Sequence, residues 1–357
     1  MGQIIGNNGI AVILFALGLP GRFGDWCEAV ITRMAEQTLG KVRIIAPNSA
    51  EELAIAMLGQ EGCLLVTGRQ PGTWLQRVIQ AAGKNVAVAL DDPRKTLAEL
   101  IAHNGLGLTD AVRQVGSGSA SVLPWLDLPR SLVLHAERDW LRAVETASAL
   151  ARHFELPISS RDIENIVSDL AAAGLEPGSS PTVSALDHIG EAALRVVNGA
   201  LAPYANLNPE SELNAISWGR DLFMMDGHQP ATEIVDICGR VRALFYGPYI
   251  KLPPGQWLAE IVLGFSLEAT EMNFVIDILM GGTQIAVTKI QPAHEGIFSV
   301  NLSFVVEEGN DHAVEFRVVN ERAAFDGKIA LGEVTLVRQG AASGSAIDLL
   351  KTQLGLS

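Results

Sequence analysis

Cysteine is scarce: the chain holds three in 357 residues, Cys27, Cys63 and Cys238. They are odd in number, far apart and set among apolar neighbours. Neither a disulfide framework nor a metal-ligand cluster is expected, and reduced buried thiols in a cytoplasmic protein are the reading. Positive charge is short as well. Lys and Arg total 26 against 40 Asp and Glu, a formal net charge of −14, and no basic cluster offsets it locally. That excludes nucleic acid and an anionic membrane surface as partners. The N-terminal apolar stretch has no Lys or Arg ahead of it and is too short to span a bilayer, so neither a signal peptide nor a membrane span is expected. Gly-x-Ser-x-Gly, a Cys–His pairing and zinc spacing are all missing, and the seven His form no ligand set. No catalytic and no metal-binding residue is assigned. Asp226-Gly227-His228 reads as a loop hydrogen bond, and Asp187-His188 as a surface pair on a helix.

What is present is a well-buried globular composition, 48% hydrophobic with 18% charged, at a length that suits two domains. The stretch from Gly9 to Leu39 organises the first. An apolar run, Ile10 to Leu17, reads as a buried parallel strand. Gly18-Leu19-Pro20-Gly21-Arg22-Phe23-Gly24 makes a turn, and Trp26, Ala29, Val30, Met34 and Leu39 recur at helical spacing. Strand, glycine-rich turn and helix is the layout of a phosphate-binding loop. The Walker Lys and its following Ser or Thr are absent, and Asp25 is the expected N-cap of the helix.

Further strands are expected at 41–45, 63–67, 85–90 and 131–135, each alternating with a helix. The class is therefore α/β, with a mostly parallel sheet flanked by helices. From Tyr246 the texture changes to short alternating runs punctuated by Gly-Gly, Pro and Glu-Gly-Asn, which reads as an antiparallel β-sandwich, jelly-roll-like. The expected boundaries are an α/β domain over 1–205, a helical connector over 206–243, the sandwich over 244–339, and a flexible tail with a short helix over 340–357.

The first half resembles the sulfotransferase fold over about residues 9–175. That family has a Pro-Lys-Ser-Gly-Thr-Thr-Trp loop for the 5′-phosphosulfate of its donor, phosphoadenosine phosphosulfate. Pro20 and Trp26 match its ends, while Gly21 takes the place of the Lys and Asp25 that of the last Thr. The family's Arg-x-Pro and later Ser hold the donor's 3′-phosphate. Pro93 matches, but Asp91 stands for the Arg and Glu99 for the Ser. Thr67-Gly68-Arg69-Gln70-Pro71 lacks the family's catalytic His. Leu132-Val133-Leu134-His135-Ala136-Glu137 resembles the later strand and acidic helix start. The resemblance thus implies a sulfotransferase-like scaffold without donor binding, a pseudoenzyme with no cofactor. Arg22, Arg69 and Arg94, with Gly21 and Gly24, form a residual anion or nucleotide site, or else the arginines pair with Asp25, Asp91 and Asp92.

The second half resembles carbohydrate-binding sandwiches, from Gly247-Pro248-Tyr249 through Gly255-Gln256-Trp257 and from Phe325-Asp326 through Leu336. The resemblance implies sugar binding by Tyr246, Tyr249, Trp257 and Asp326, with Phe325, Asn273, Asn301 and Asn320 as further candidates; Trp257 and Phe325 also fit the sandwich core. The function expected is non-catalytic binding of a glycan or partner protein in bacterial surface-polysaccharide synthesis. Its alternative is an active sulfotransferase or related transferase using phosphoadenosine phosphosulfate. A third is a structural module whose sandwich packs on its own first half or, as a homo-oligomer, on another copy.

Overall fold

The computed structural model describes residues 12–59, 61–176, 189–205, 207, 213 and 215–339. Asp187-His188, the start of the first apolar run and the tail beyond residue 339 lie outside them. The chain divides into two units: Met1–Ser211 with Ile250–Pro253, and Glu212–Tyr249 with Pro254–Ser357.

The first unit is a five-stranded parallel sheet in the order β2-β3-β1-β4-β5. The strands are β1 (Val12–Gly18), β2 (Val42–Ile45), β3 (Cys63–Gly68), β4 (Val86–Leu90) and β5 (Ser131–His135). β1 is central, its residues in register with Cys63–Gly68 on one side and Val86–Ala89 on the other. From Leu14 onward every β1 residue is buried, as are all five of β4. Burial on both faces is why these runs are continuously apolar rather than alternating.

Helices connect the strands: α1 (Arg22–Leu39), α2 (Ala50–Met57), α3 (Thr73–Ala82), α4 (Pro93–Asn104), α5 (Leu108–Val122), α6 (Ala136–Asp139), α7 (Ala143–His153), α8 (Ser160–Ala172) and α9 (Glu191–Leu201). α1 buries Phe23, Trp26, Cys27, Val30, Ile31, Met34 and Ala35, a stripe at helical spacing. Phe23 stacks on Trp26 and meets Trp140, with ring centroids 6.0 and 5.7 Å apart. Ser49 caps α2 by accepting from the Glu52 N–H. Asp92 caps α4, with Pro93 in the first turn where no N–H is needed. Between β5 and α8 the chain forms α6, a 3-10 turn at Trp140–Arg142, and α7.

The second unit holds two antiparallel sheets. One runs β13-β12-β15-β10-β7-β8; the other runs β14-β11-β16-β6, with β9 also on β16. The long strands are β10 (Ala243–Ile250), β11 (Gly255–Phe265), β12 (Phe274–Met280), β13 (Thr283–Ile290), β14 (Gly296–Val306), β15 (Val314–Asn320) and β16 (Lys328–Gln339). Inward residues alternate along β11 and β15, as a half-covered strand requires. Trp218, Trp257, Phe245, Phe274 and Ile261 are buried among them.

The stretch 206–243, expected to be a helical connector, is different where it is described. It supplies β6 (Ile216–Gly219), β7 (Met224–Met225), β8 (Gln229–Pro230) and β9 (Val235–Asp236), with 3-10 turns at Arg220–Leu222 and Asp226–His228. Strands of two to four residues leave no readable period, and only their partners in the sheets define them. Among the described residues, no helix is long and apolar enough to cross a membrane.

Candidate functional site

In the α/β unit, the turns after β1, β3, β4 and β5 carry the residues in question. α/β folds place ligands at these carboxyl ends. α1 begins at Arg22, with Gly21 at its cap in a φ of 141° and no side-chain cap bond. Asp25 is therefore not the N-cap, contrary to expectation. The carboxylate at this helix end comes instead from α4: the Arg22 N–H donates to Glu99 Oε2 at 2.9 Å. Glu99 is 7% exposed. A Cβ on Gly21 would lie 3.0 Å from the same oxygen, so the turn closes around Glu99 only with glycine there. The helix end that would face a phosphate already faces a buried carboxylate of the chain itself.

The arginines are engaged within the unit. Arg69 Nη2 contacts Asp25 Oδ1 at 2.6 Å and Glu28 Oε2 at 3.3 Å. It crosses the first turn of α1 at Gly24, where a Cβ would come within 2.4 Å of Arg69 Nη1. Arg94 pairs with Asp92, at 2.9 Å through Nη2 and 3.2 Å through Nε. Arg22 donates through Nη2 to the Gly174 carbonyl. Of the three expected carboxylate partners, Asp25 and Asp92 hold arginines and Asp91 does not.

Asp91 faces a different task. With Asp92, His135, Glu137 and Tyr204 it lines a small cavity of ≈ 50 Å³ beyond β4 and β5. Burial, aided by the charge of Glu99, pushes the Asp91 carboxyl up to about 6, against the Asp92 N–H that it accepts. Burial and Arg138 lower the His135 imidazole from its ordinary value. The cavity thus joins a carboxyl that keeps its proton in mild acid to an imidazole that releases its own early. Glu137 reaches Lys95 at 3.1 Å. Cys27 is on the buried face of α1, and burial pushes its thiol well above its usual range, as in an inert core thiol.

In the sandwich, two of the four expected sugar-binding residues come together. Tyr246 and Tyr249 lie edge to face, centroids 6.4 Å apart, and Tyr246 meets His228 in the same way at 6.0 Å. The Tyr246 hydroxyl and His228 Nδ1 are 2.9 Å apart, and the Tyr249 hydroxyl donates to Glu315 Oε1 at 2.9 Å. Nearby on β15, Arg317 binds Asp277 of β12 through two bonds of 2.9 and 2.6 Å, and Gln284 joins from β13 at 3.2 Å. Tyr246, Tyr249, His228 and Glu315 make an aromatic surface with polar ends, the form that stacks on a sugar ring and bonds its hydroxyls.

Trp257 is not part of it. It is 0% exposed on an inward position of β11 and belongs to the core, because alternation along β11 turns it to the opposite sheet. Asp326 serves its own turn, accepting from the Gly327 N–H at 2.7 Å. Phe325 is fully exposed, not core. Asn320 is 0% exposed and bonds the Arg242 N–H and the Arg240 and Arg322 carbonyls, a structural role. His228 and Glu315 were not anticipated as partners; Asp226-Gly227-His228 was the one signal for the former.

No protein-family model matches the chain, and no curated protein sequence matches it. Among solved structures, a mouse sulfotransferase complexed with PAP is similar, with a TM-score of 0.41 and 9% identity, covering 52% of this chain and 80% of that one. A family 16 carbohydrate-binding module gives a TM-score of 0.23 at 10% identity, covering 36% and 79%. A cyclase from Fischerella sp. TAU gives 0.23 at 7% identity, covering 36% and 76%. These are likenesses of chain path, and the chemistry of this chain is read from its own residues.

Proposed function

We propose that the chain is a non-catalytic, sulfotransferase-like protein that binds a glycan through its sandwich. The observation that carries the first part is the Glu99 carboxylate on the N-terminal end of α1, 2.9 Å from the Arg22 nitrogen. A donor phosphate there would meet a buried carboxylate, a repulsion on the order of 4 kcal/mol at about 4 Å in a partly desolvated site. The arginines that would compensate are already spent on Asp25, Glu28 and Asp92. Support for the second part is the Tyr246–Tyr249–His228 surface with Glu315 beside it.

Calorimetry with adenosine 3′,5′-bisphosphate tests the first part: no heat is expected at millimolar ligand, and micromolar binding would sink it. A glycan array on the parent protein and on Tyr246→Ala tests the second. Signal on a defined glycan, lost in the variant, is expected; an array blank for both, or signal untouched by the substitution, argues against it.

A further inference from the structure

The edge strand β14 reads nearly the same from either end. Its residues run Gly296-Ile297-Phe298-Ser299-Val300-Asn301-Leu302-Ser303-Phe304-Val305-Val306. About Asn301 the sequence is a palindrome of residue classes: Val300 answers Leu302, Ser299 answers Ser303, Phe298 answers Phe304, and Ile297 answers Val305. β14 ends its sheet, with β11 on one side and, among the described residues, no strand on the other.

Nothing along it discourages pairing. All eleven residues are uncharged and none is proline. Its register with β11 runs unbroken from Gly255↔Val306 to Phe265↔Gly296, without a bulge. The edge strand of the other sheet, β13, differs in two of these respects: Lys289 lies on it, and its register with β12 shifts between Ile278 and Leu279. β14 also shows apolar side chains to solvent near both ends, Ile297 at 80% and Val305 at 50% exposure.

We infer that two copies associate by antiparallel pairing of β14 with β14, on a two-fold axis through Asn301. That register sets Ile297 of each copy against Val305 of the other and Ser299 against Ser303. On the opposite face it sets Phe298 against Phe304 and Val300 against Leu302. Directly opposed side chains sit about 4.5–5.5 Å apart, so each match is a contact. A shift by one residue would set Ile297 against Phe304 or Val306 and lose every match. The contact is isologous and closes at two copies, which an open edge otherwise does not. The net charge of −14 does not forbid it. Glu260, on β11 beside Asn301, would lie about 14 Å from its counterpart, three strand spacings away and beyond the screening length at physiological salt. Just past the paired residues, Glu295 would face Glu307 of the second copy, and His294 would face Glu308.

Sedimentation velocity on the full chain over a concentration series tests this. The parent is expected to shift from monomer to dimer as concentration rises. Ile297→Lys with Val305→Lys places Lys against Lys at both ends and should leave only monomer. Ile297→Lys with Val305→Glu places Lys against Glu in this register alone and should restore the dimer. Both sites are exposed, and circular dichroism confirms that each variant is folded. A parent that stays monomeric throughout, a dimer that survives the double-Lys change, or a Lys–Glu variant that fails to recover would each overturn the inference.

Discussion

At the carboxyl ends of the parallel strands, charge is turned inward. Arg69 meets Asp25 and Glu28, Arg94 meets Asp92, and Glu99 serves the first turn of α1. On the six-stranded sheet of the sandwich, Asp277 and Arg317 also pair, but beside them Tyr246 and Tyr249 keep ring surface and hydroxyls at the boundary with water. The first region joins its charges to one another, while the second bonds its tyrosine hydroxyls to His228 and Glu315 and leaves ring surface at the boundary. The proposal that the turn after β1 does not take a donor phosphate rests on the first region. The proposal of glycan binding rests on the second.

The largest expected effect tests the pairing of Arg317 with the buried carboxylate of Asp277. Asp277 is 4% exposed, and Arg317→Leu strands its carboxylate. Urea unfolding should show a loss of about 3–5 kcal/mol in the sandwich transition. A loss below about 1 kcal/mol would mean that the pair behaves like an exposed one and that the contrast with the α/β unit is overdrawn.

Next is Asp91→Asn. The folded carboxyl titrates at about 6 against an ordinary 3.8. Between those values the folded protein holds a proton that the unfolded chain has released, so the parent loses stability as pH rises through this window. The variant removes that loss. It should exceed the parent by about 3 kcal/mol at pH 7, with the gap closing toward pH 4. Parallel stability curves for the two proteins across this range would refute the assignment.

Glu99→Ala removes the acceptor from the Arg22 N–H and should cost about 1.5 kcal/mol. It should also make the melting temperature rise with added phosphate, which leaves the parent unchanged. If both proteins respond alike, Glu99 is not what closes the loop. The smallest effect is Tyr249→Phe, which deletes one exposed bond to Glu315 and should cost about 0.5–1 kcal/mol. Chemical denaturation would show it against Glu315→Gln, and non-additivity in the double variant would assign the energy to that bond.

Much of the architecture was legible in the chain. Buried parallel strands read as unbroken apolar runs, so β1, β3, β4 and β5 were placed within about a residue or two of where they lie. Ser49, Asp92 and Pro93 fix their helix starts through capping chemistry that acts within three residues. The stretch 206–243 was misread because its strands are too short to carry a period. Trp257 was offered as a sugar platform because one alternating strand does not say which of its faces is covered.

What the sequence determined by itself is local and periodic: the alternation of strands and helices, the change of texture after Tyr246, the caps, and the palindrome of β14. Its order alone places Glu99 77 positions from Arg22, and His228 18 from Tyr246. Only the fold decides that the first pair meets at a helix end and that the second shares an edge-to-face contact. Backbone geometry propagates along a few neighbouring residues, whereas a buried carboxylate finds its donor only after the sheet has brought the ends of β1 and β4 side by side.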